Sequence, residues 1–408
     1  MNSDDLLASV KRKISFPSSQ NTFTDADILA FANEELMISQ VPSILQFHEE
    51  YFVAKQVSPI ISNQSAYAVP TRAIGMKLRQ VAWCDNVNGP DYPYNGNLFE
   101  MTRIDAEDKP FFQSSVGADR AVHKYYIEGN NINLIPSIVT NPTGSIVMYY
   151  FQRPNMLTTT DQAATIQNFS IAVTVGTVVA GDTLTITNQN STATVFTAVV
   201  SGATGNQFNI GGTPTITATN LAAAIQANGV ATATSANAVV TIVFGYVAFT
   251  FVASSANLTV DTKTGFIVNQ VPSTFVANSI CDMLQTKPGH QTRAISITLK
   301  SIAGMTIFFN TTDVPSTLVT GDYVCLENQC IIPQIPPDLH NGLAERTAAR
   351  ILAALGDMQG LQASGQKIQE IEKNQGMLLD NRTEGEPRKI LARHSLLRYG
   401  KMGTSRRL

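Results

Sequence analysis

Residues 181–229 read GDTLTITNQNSTATVFTAVVSGATGNQFNIGGTPTITATNLAAAIQANG, and they lie inside a longer stretch, between Asp161 and Asp261, in which only Asp182 carries a formal charge. Asp, Glu, Lys and Arg make up 14% of the chain, so a neutral block of this length between charged flanks predicts a separate module inserted into a host that it splits. Within it, GDTLTIT (181–187) and TATVFTAVV (192–200) read as strands, and SGATGNQFNIGG (201–212) reads as a turn. Thr219 or Asn220 is a suitable helix cap, Leu221, Ala224 and Ile225 form a narrow apolar stripe, and Gly229 is a stop. Strands return in VVTIVF, VAFTFVA and NLTVDT. The block, set at 164–268, is expected to be a β-rich domain, Ig-like or a β-sandwich, with one short helix.

Outward from the block the pattern changes. Thr24 followed by Asp27 makes a capping-box start, after which Ile28, Leu29, Ala32, Leu36 and Met37 recur at helical spacing. Pro42 interrupts this pattern, and Ile44, Leu45, Phe47, Tyr51 and Phe52 predict a second helix. From 66 to 155 the period falls to two, with strands at Ala66–Pro70, Met76–Ala82, Phe99–Ile104, Ala121–Glu128, Ile132–Ile135 and Gly144–Phe151, separated by Asn-Gly and Gly-rich turns. After the block, AISITLK, MTIFFN and DYVCLEN are strands. Pro336 and Pro337 open a helix carrying Leu339, Leu343, Ala344, Thr347, Ile351, Leu352 and Leu355, and a more polar helix follows over Met358–Leu379. The fold class expected is therefore α+β: a helical bundle formed by the N- and C-terminal helices (1–55 and 336–385), and a host β-sandwich or barrel (66–155 and 271–332). The host, 1–163 with 269–387, is interrupted by the inserted domain, and residues 388–408 form a tail.

Composition bounds the function. The chain has 408 residues, a net charge of −3, 44% hydrophobic residues and a mean hydropathy of +0.02, which is globular rather than membrane-bound or disordered. Met1–Phe31 is broken by seven charges, so neither a signal peptide nor a spanning segment is expected there, and a cytosol-like folding compartment follows. Cys84, Cys281, Cys325 and Cys330 are too few and scattered for a disulfide framework. Cys325 and Cys330, with His340 beyond them, lack a fourth ligand for zinc and are expected to be strand residues. No P-loop, GxSxG or HExxH is present, and the five histidines (His48, His123, His290, His340, His394) have no Cys or Ser partner in sequence. No catalytic residue, metal or cofactor is expected, and the chain is expected not to be an enzyme.

After Glu386 the chain carries Arg388, Lys389, Arg393, Arg398, Lys401, Arg406 and Arg407 and no acid. Such a tail fits an acidic protein groove, a phosphate backbone or a solubilising arm, and Leu391, Leu396, Leu397 and Tyr399 give it apolar points of contact that favour protein docking. The neutral block has too few charges to bind nucleic acid by phosphate neutralisation, and its Thr/Asn/Ser surface suits a neutral partner.

FTDADILAFANEEL…VPSILQFHEEYFV, AIGMKLRQVAW, SIVMYYFQRPNML, LVTGDYVCLENQCIIPQIPPDLHNGLAERTAARILAALGD and NRTEGEPRKILARHSLLR together resemble the head-to-tail connector (adaptor) proteins of tailed bacteriophages, over most of 1–155 and 271–408. The middle block separately resembles modules of phage tail and virion proteins. The resemblance implies a homo-oligomeric ring, usually dodecameric, at the neck of the virion, assembled in the host cytoplasm. The ring binds the portal protein, lets packaged DNA pass through its lumen, and offers the tail nozzle or tube a docking face, with no membrane involved. It also implies that the portal-binding role falls on Arg388, Lys389, Arg393, Leu396, Leu397 and Arg398, to which the neighbouring Tyr399 adds an aromatic. Excising 164–268 behind a short linker is expected to leave the ring able to assemble. The alternatives are a tail-associated adhesion or carbohydrate-binding protein, with the block as its binding unit, and a virion-borne cell-wall hydrolase.

Overall fold

In the computed structural model, which describes residues 1–14, 22–47, 49–91, 95–108, 124–135, 144–247, 249–286 and 291–379, the chain opens with a helix that sequence reading passes over. Helix α1 (Ser3–Lys13) buries Leu6, Leu7 and Val10, and Asn2 and Asp5 close a reciprocal capping box at its start. Its charges count as breaks in an apolar run when hydropathy is summed, yet they form the wet face of an amphipathic helix. Helix α2 (Asp25–Glu35) begins as expected: Thr24 N donates to Asp27 Oδ2 at 2.8 Å, and Asp27 N donates to Thr24 Oγ1 at 3.2 Å. One π-helical turn, Leu36–Gln40, joins α2 to α3 (Val41–Phe47). Pro42 thus follows the π-helical turn inside a continuous helix, where the wider turn accommodates a residue that has no N–H for the helical ladder.

The strands that follow are β1 (Val53–Pro59), β2 (Ala66–Ala68), β3 (Ala73–Cys84), β4 (Leu98–Glu100), β5 (Thr102–Arg103), β6 (Lys124–Glu128), β7 (Asn131–Ile135), β8 (Ser145–Gln152) and β9 (Met156–Leu157). Eight of them form two four-stranded sheets, ordered β1-β8-β3-β4 and β2-β7-β6-β5, while β9 pairs in parallel with a short strand at Gln329–Cys330. The sheets share a core of Tyr67, Val81, Met101, Tyr125, Ile132, Leu134, Ile146 and Met148. Strand β1 replaces the end of the expected second helix, because Val53–Pro59 pairs along its whole length with Ser145–Phe151 of the hydrophobic β8. Pairing with a buried strand outweighs the helical spacing that precedes it.

The neutral block contains β10 (Ala163–Val175), β11 (Thr183–Thr187), β12 (Ala193–Val199), β13 (Gln207–Asn209), helix α4 (Pro214–Asn228), β14 (Thr232–Ala236), β15 (Val239–Phe244), β16 (Thr250–Ala253) and β17 (Leu258–Val268). Helix α4 starts five residues before the expected cap, with Thr213 Oγ1 accepting from Ile216 N, and ends at Gly229 in the left-handed conformation (φ 78°). The β-branched Thr215, Ile216, Thr217 and Thr219 hide this first turn from propensity reasoning, although Thr213 followed by Pro214 is a start signal. Strands β18 (Ile280–Leu284), β19 (Thr292–Thr298), β20 (Ser301–Ala303), β21 (Thr306–Asn310), β22 (Tyr323–Leu326) and β23 (Gln329–Cys330) follow, then α5 (His340–Leu355) and α6 (Met358–Leu378).

Two expectations are corrected. First, the protein is not a helical bundle made from its terminal helices: among the described residues strand accounts for 39% and helix for 29%. Helices α1, α2, α3 and α5 do share a core of Leu6, Leu7, Ile28, Leu29, Leu36, Ile44, Leu343 and Ile351, but this is a local group set against Phe151 and Leu157 of the strand region. The β-rich content of the expectation fits. Second, the strands of 271–332 do not complete a sheet with those of 66–155. All but β23, which pairs with β9, join the neutral block in one nine-stranded sheet running β19-β18-β22-β10-β17-β21-β20, with β15 also paired to β10 and β14 to β15.

The reason lies in the length of β10 and β17. The first three residues of β10 pair with β22 (Ala163↔Cys325, Ala164↔Val324, Thr165↔Tyr323), and the rest pair with β15 and β17. Residues Lys263–Ile267 of β17 pair with β21. One core therefore runs across the expected boundary, with Phe169 and Phe196 of the block packed in the same cluster as Phe309, Met283 and Val324. The second sheet of the block, β13-β12-β11-β16, closes over this core together with α4.

Candidate functional site

The seven residues on which the portal-binding role was placed, Arg388, Lys389, Arg393, Leu396, Leu397, Arg398 and Tyr399, lie outside the described residues. His48, His123, His290 and His394 lie outside them as well. Cys325 and Cys330 are buried with Ala163, Leu284, Ile331 and Ile332, and burial pushes the Cys330 thiol up to about 12, so it is protonated at neutral pH. His340 Nε2 lies 3.2 Å from the carbonyl of Ile335. Among the described residues no group of three or more His, Cys, Asp or Glu side chains is placed to hold a metal ion.

What the fold brings together instead is a buried polar junction between the β1–β9 sheets and the nine-stranded sheet. Its centre is Asp282 on β18, which is fully buried. Asp282 Oδ1 accepts from Arg72 Nη2 at 2.9 Å and from Ser296 N at 3.0 Å. Oδ2 accepts from Asn155 Nδ2 at 2.8 Å and Asn328 N at 2.9 Å, and lies 2.7 Å from Arg72 Nη1. Arg72 precedes β3, and its Nη1 also donates to Asn155 Oδ1 at 3.1 Å. Asn155 N donates to Gln334 Oε1 at 2.7 Å, and Gln334 Nε2 donates to Thr292 Oγ1 at 2.8 Å. A buried carboxylate with this many donors and a bidentate guanidinium is satisfied, and it fixes geometry rather than performing chemistry.

Beside the junction lies a cleft of about 420 Å³ lined by Tyr51, Lys55, Tyr149, Arg153, Arg293 and Gln334, among others. A second cleft of about 480 Å³ shares Lys55, Arg293 and Ile295 with it and is backed by Arg72. Neither lining contains a carboxylate, so the pair of clefts can receive an anionic group. Lys55 pairs with Asp91 at the rim, and Arg293 Nε donates to Gln285 Oε1 at 2.5 Å, which orients the guanidinium. The described lining holds no Ser–His, Cys–His or paired-carboxylate arrangement with which to run acyl or glycosyl transfer.

The helical group carries the other concentration of charge. Glu345 of α5 is 3% exposed and meets Lys13 of α1 at 2.5 Å, while Ser364 Oγ of α6 donates to its Oε1 at 3.1 Å. Arg350 pairs with Glu34 and Glu35 of α2, and Arg346 pairs with Glu372 of α6. The Lys13–Glu345 and Arg350 pairs tie the two ends of the chain together across more than 300 residues of sequence. Helix α6 is held to α5 through Ser364–Glu345 and Arg346–Glu372. Of its described side chains Ser364 alone is buried, and Met358 is 71% exposed.

Sequence reasoning misses the junction because Arg72, Asn155, Asp282 and Gln334 are far apart along the chain and belong to no motif. The one available signal is an Asp within the apolar strand ICDML (280–284), where a buried acid requires a partner. No protein-family model and no curated protein matches the chain. No helix among the described residues is long and apolar enough to cross a membrane.

Proposed function

We propose that this chain is a structural virion protein, a subunit of a head-to-tail adaptor ring at the neck of a tailed bacteriophage, and not an enzyme. The observation that carries the reading is α6. A helix of 21 residues, about 30 Å long at about 1.5 Å per residue, buries one of its described side chains within the subunit. Such a helix is stabilised by partners outside the chain, and in a heterologous ring each subunit supplies them to the next. The basic segment 388–408 follows this helix in sequence after residues 379–387, which agrees with a role for Arg388, Lys389, Arg393 and Arg398 in docking to the portal.

In this reading the ring is a homo-oligomer, a dodecamer by the family resemblance, whose lumen conducts packaged DNA and whose far face receives the tail. The cationic clefts beside Arg72 give each subunit a place for an acidic segment of a neighbour. A chain ending at Glu386 is expected to keep the far-ultraviolet circular dichroism of the full protein and to lose binding to purified portal, with the rings seen by electron cryo-microscopy of the full chain absent. Portal rings decorated by the shortened chain to the same extent as by the full one overturn the assignment.

A further inference from the structure

The neutral block contains an open cleft of about 740 Å³, bounded by β10, the β11–β12 turn, the end of α4 and the end of β15. Its lining is unusual in composition: Asn168, Asn188, Gln189, Asn190 and Gln226 supply amides, Tyr246 and Phe249 supply aromatic faces, and no charged side chain takes part. Asn188 Oδ1 is occupied by the backbone N–H groups of Asn190 and Thr192, both at 3.0 Å, which fixes the turn and leaves its Nδ2 as a donor. Asn168, Gln189 and Gln226 are exposed, and among the described residues no hydrogen bond engages their side chains. The aromatic floor is held from below: the buried Phe244 lies 5.1 Å from Phe249 and 5.3 Å from Phe251, ring centre to ring centre. Tyr246 is 45% exposed at the rim.

We propose that this cleft is a binding site for a neutral oligosaccharide. Asn188 offers a donor, and each of the other four amides offers a donor and an acceptor, the complement of a hydroxyl that both gives and takes a hydrogen bond. The flat aromatic faces match the apolar C–H face of a pyranose ring. A phosphate or carboxylate ligand finds no counter-charge here, and a wholly apolar ligand strands five amides without partners. The volume is within the range of about 300–1,000 Å³ typical of ligand sites. An extended peptide is the competing occupant. The lining disfavours it, because a strand-like ligand draws on a free sheet edge, whereas the contacts here are side-chain amides on three separate elements. The site does not depend on the adaptor reading, since it lies wholly within 168–249.

The test uses the full chain and a panel of neutral tri- to hexasaccharides (maltose, cellulose, chitin and mannan series), with oligogalacturonate and a strand-forming neutral peptide as controls, read by saturation-transfer NMR and titration calorimetry. At least one neutral series is expected to bind, with affinity falling about tenfold or more in Gln226→Ala, in Asn168→Ala and in Tyr246→Ala. All three positions are exposed, and unchanged melting temperatures verify the fold of each variant. Gln226→Glu serves as a second variant that keeps the side-chain shape. The proposal is overturned by no binding across the neutral panel at millimolar concentration, by binding that persists unchanged in all three alanine variants, or by binding of the uronate or peptide alone.

Discussion

The neutral block and the helical group are both held by buried apolar side chains, and they differ in everything around those cores. The block and the strands it joins are built on phenylalanine: Phe169, Phe196, Phe208, Phe266 and Phe309 are all below 2% exposure, and Phe169 and Phe309 each lie about 5 Å from Phe266. At about 1.5–3 kcal/mol for each large apolar side chain removed from water, such a core needs no charge at its rim. The helical group uses smaller leucine and isoleucine contacts and surrounds them with Lys13–Glu345, Arg346–Glu372 and the Arg350 pairs. A neutral surface offers no long-range field and selects partners by shape and hydrogen bonding, while a charged one is steered and is sensitive to salt. The molecule thus separates two kinds of recognition, and the buried Arg72–Asp282 junction lies at the boundary of the sheet that carries the neutral kind.

The largest effect tests whether the neutral block is separable at all. Removing 164–268 takes away β17 and nearly all of β10, two central strands of the nine-stranded sheet. The expected product has no cooperative thermal transition for residues 271–332, and limited proteolysis cuts throughout that segment. This reverses the expectation from sequence that the block can be excised behind a linker. A shortened chain that melts cooperatively and resists protease over 271–332 breaks the comparison, because the two regions then have separate cores after all.

The next effect acts on the junction. Asp282→Ala leaves the Arg72 guanidinium buried without its carboxylate, and is expected to cost about 3–5 kcal/mol in urea unfolding. Replacing both, Arg72→Met with Asp282→Leu, is expected to recover much of that loss, since no buried charge is then left over. If Asp282→Ala lowers the stability of the nine-stranded sheet while protection of the helical amides from hydrogen exchange is unchanged, the two regions unfold separately. A uniform loss of protection shows one cooperative unit.

The sequence makes some of this legible and hides the rest for physical reasons. Local signals work where a local interaction decides the outcome: the Thr24–Asp27 capping box, the Gly229 helix stop and the hairpin partners around 124–135 are written in adjacent residues. The dearth of charge from 161 to 261 correctly marks a region of different chemistry, yet composition changes at a surface and a domain boundary runs through a core. Ala164, Ile166, Phe266 and Val268 are buried where the sheet continues, and nothing in their type distinguishes a module's edge strand from a central one. Asp282, the centre of the junction, is one acid in an apolar strand with partners up to 210 residues away. The amide-lined cleft is likewise assembled from 168, 188–190, 226 and 246, positions that only the folded sheet brings together.

The smallest effect concerns Asp182, the single formal charge between Asp161 and Asp261. Its Oδ2 accepts from Val179 N at 2.9 Å and from Asn257 Nδ2 at 3.0 Å, so the carboxylate closes the turn before β11 and holds the segment that leads into β17. The hydrogen bond from the Val179 backbone is the main cause that holds its pKa below the ordinary carboxylate value. A carboxyl that titrates lower in the folded state than in the unfolded one contributes stability that is fully present above the unfolded value of about 3.9. That contribution is lost as the pH falls through the lower folded value. Both hydrogen bonds end on one oxygen, so Asp182→Asn can keep them and lose only the charge, whereas Asp182→Ala loses both. Asp182→Ala is expected to cost about 2 kcal/mol and Asp182→Asn less than about 1 kcal/mol. Hydrogen exchange of the Val179 and Ala198 amides reads the effect locally, because Ala198 N donates to the Asp182 carbonyl at 2.8 Å. In the parent chain the protection of these amides is expected to fall with pH below about 4, and in both variants that fall is expected to disappear. If the acid-dependence survives in Asp182→Asn, the pH response comes from another carboxylate, Asp261 at the end of the neutral stretch or Asp282 at the junction, and the separation between a neutral and a charged region is less complete than its sequence implies.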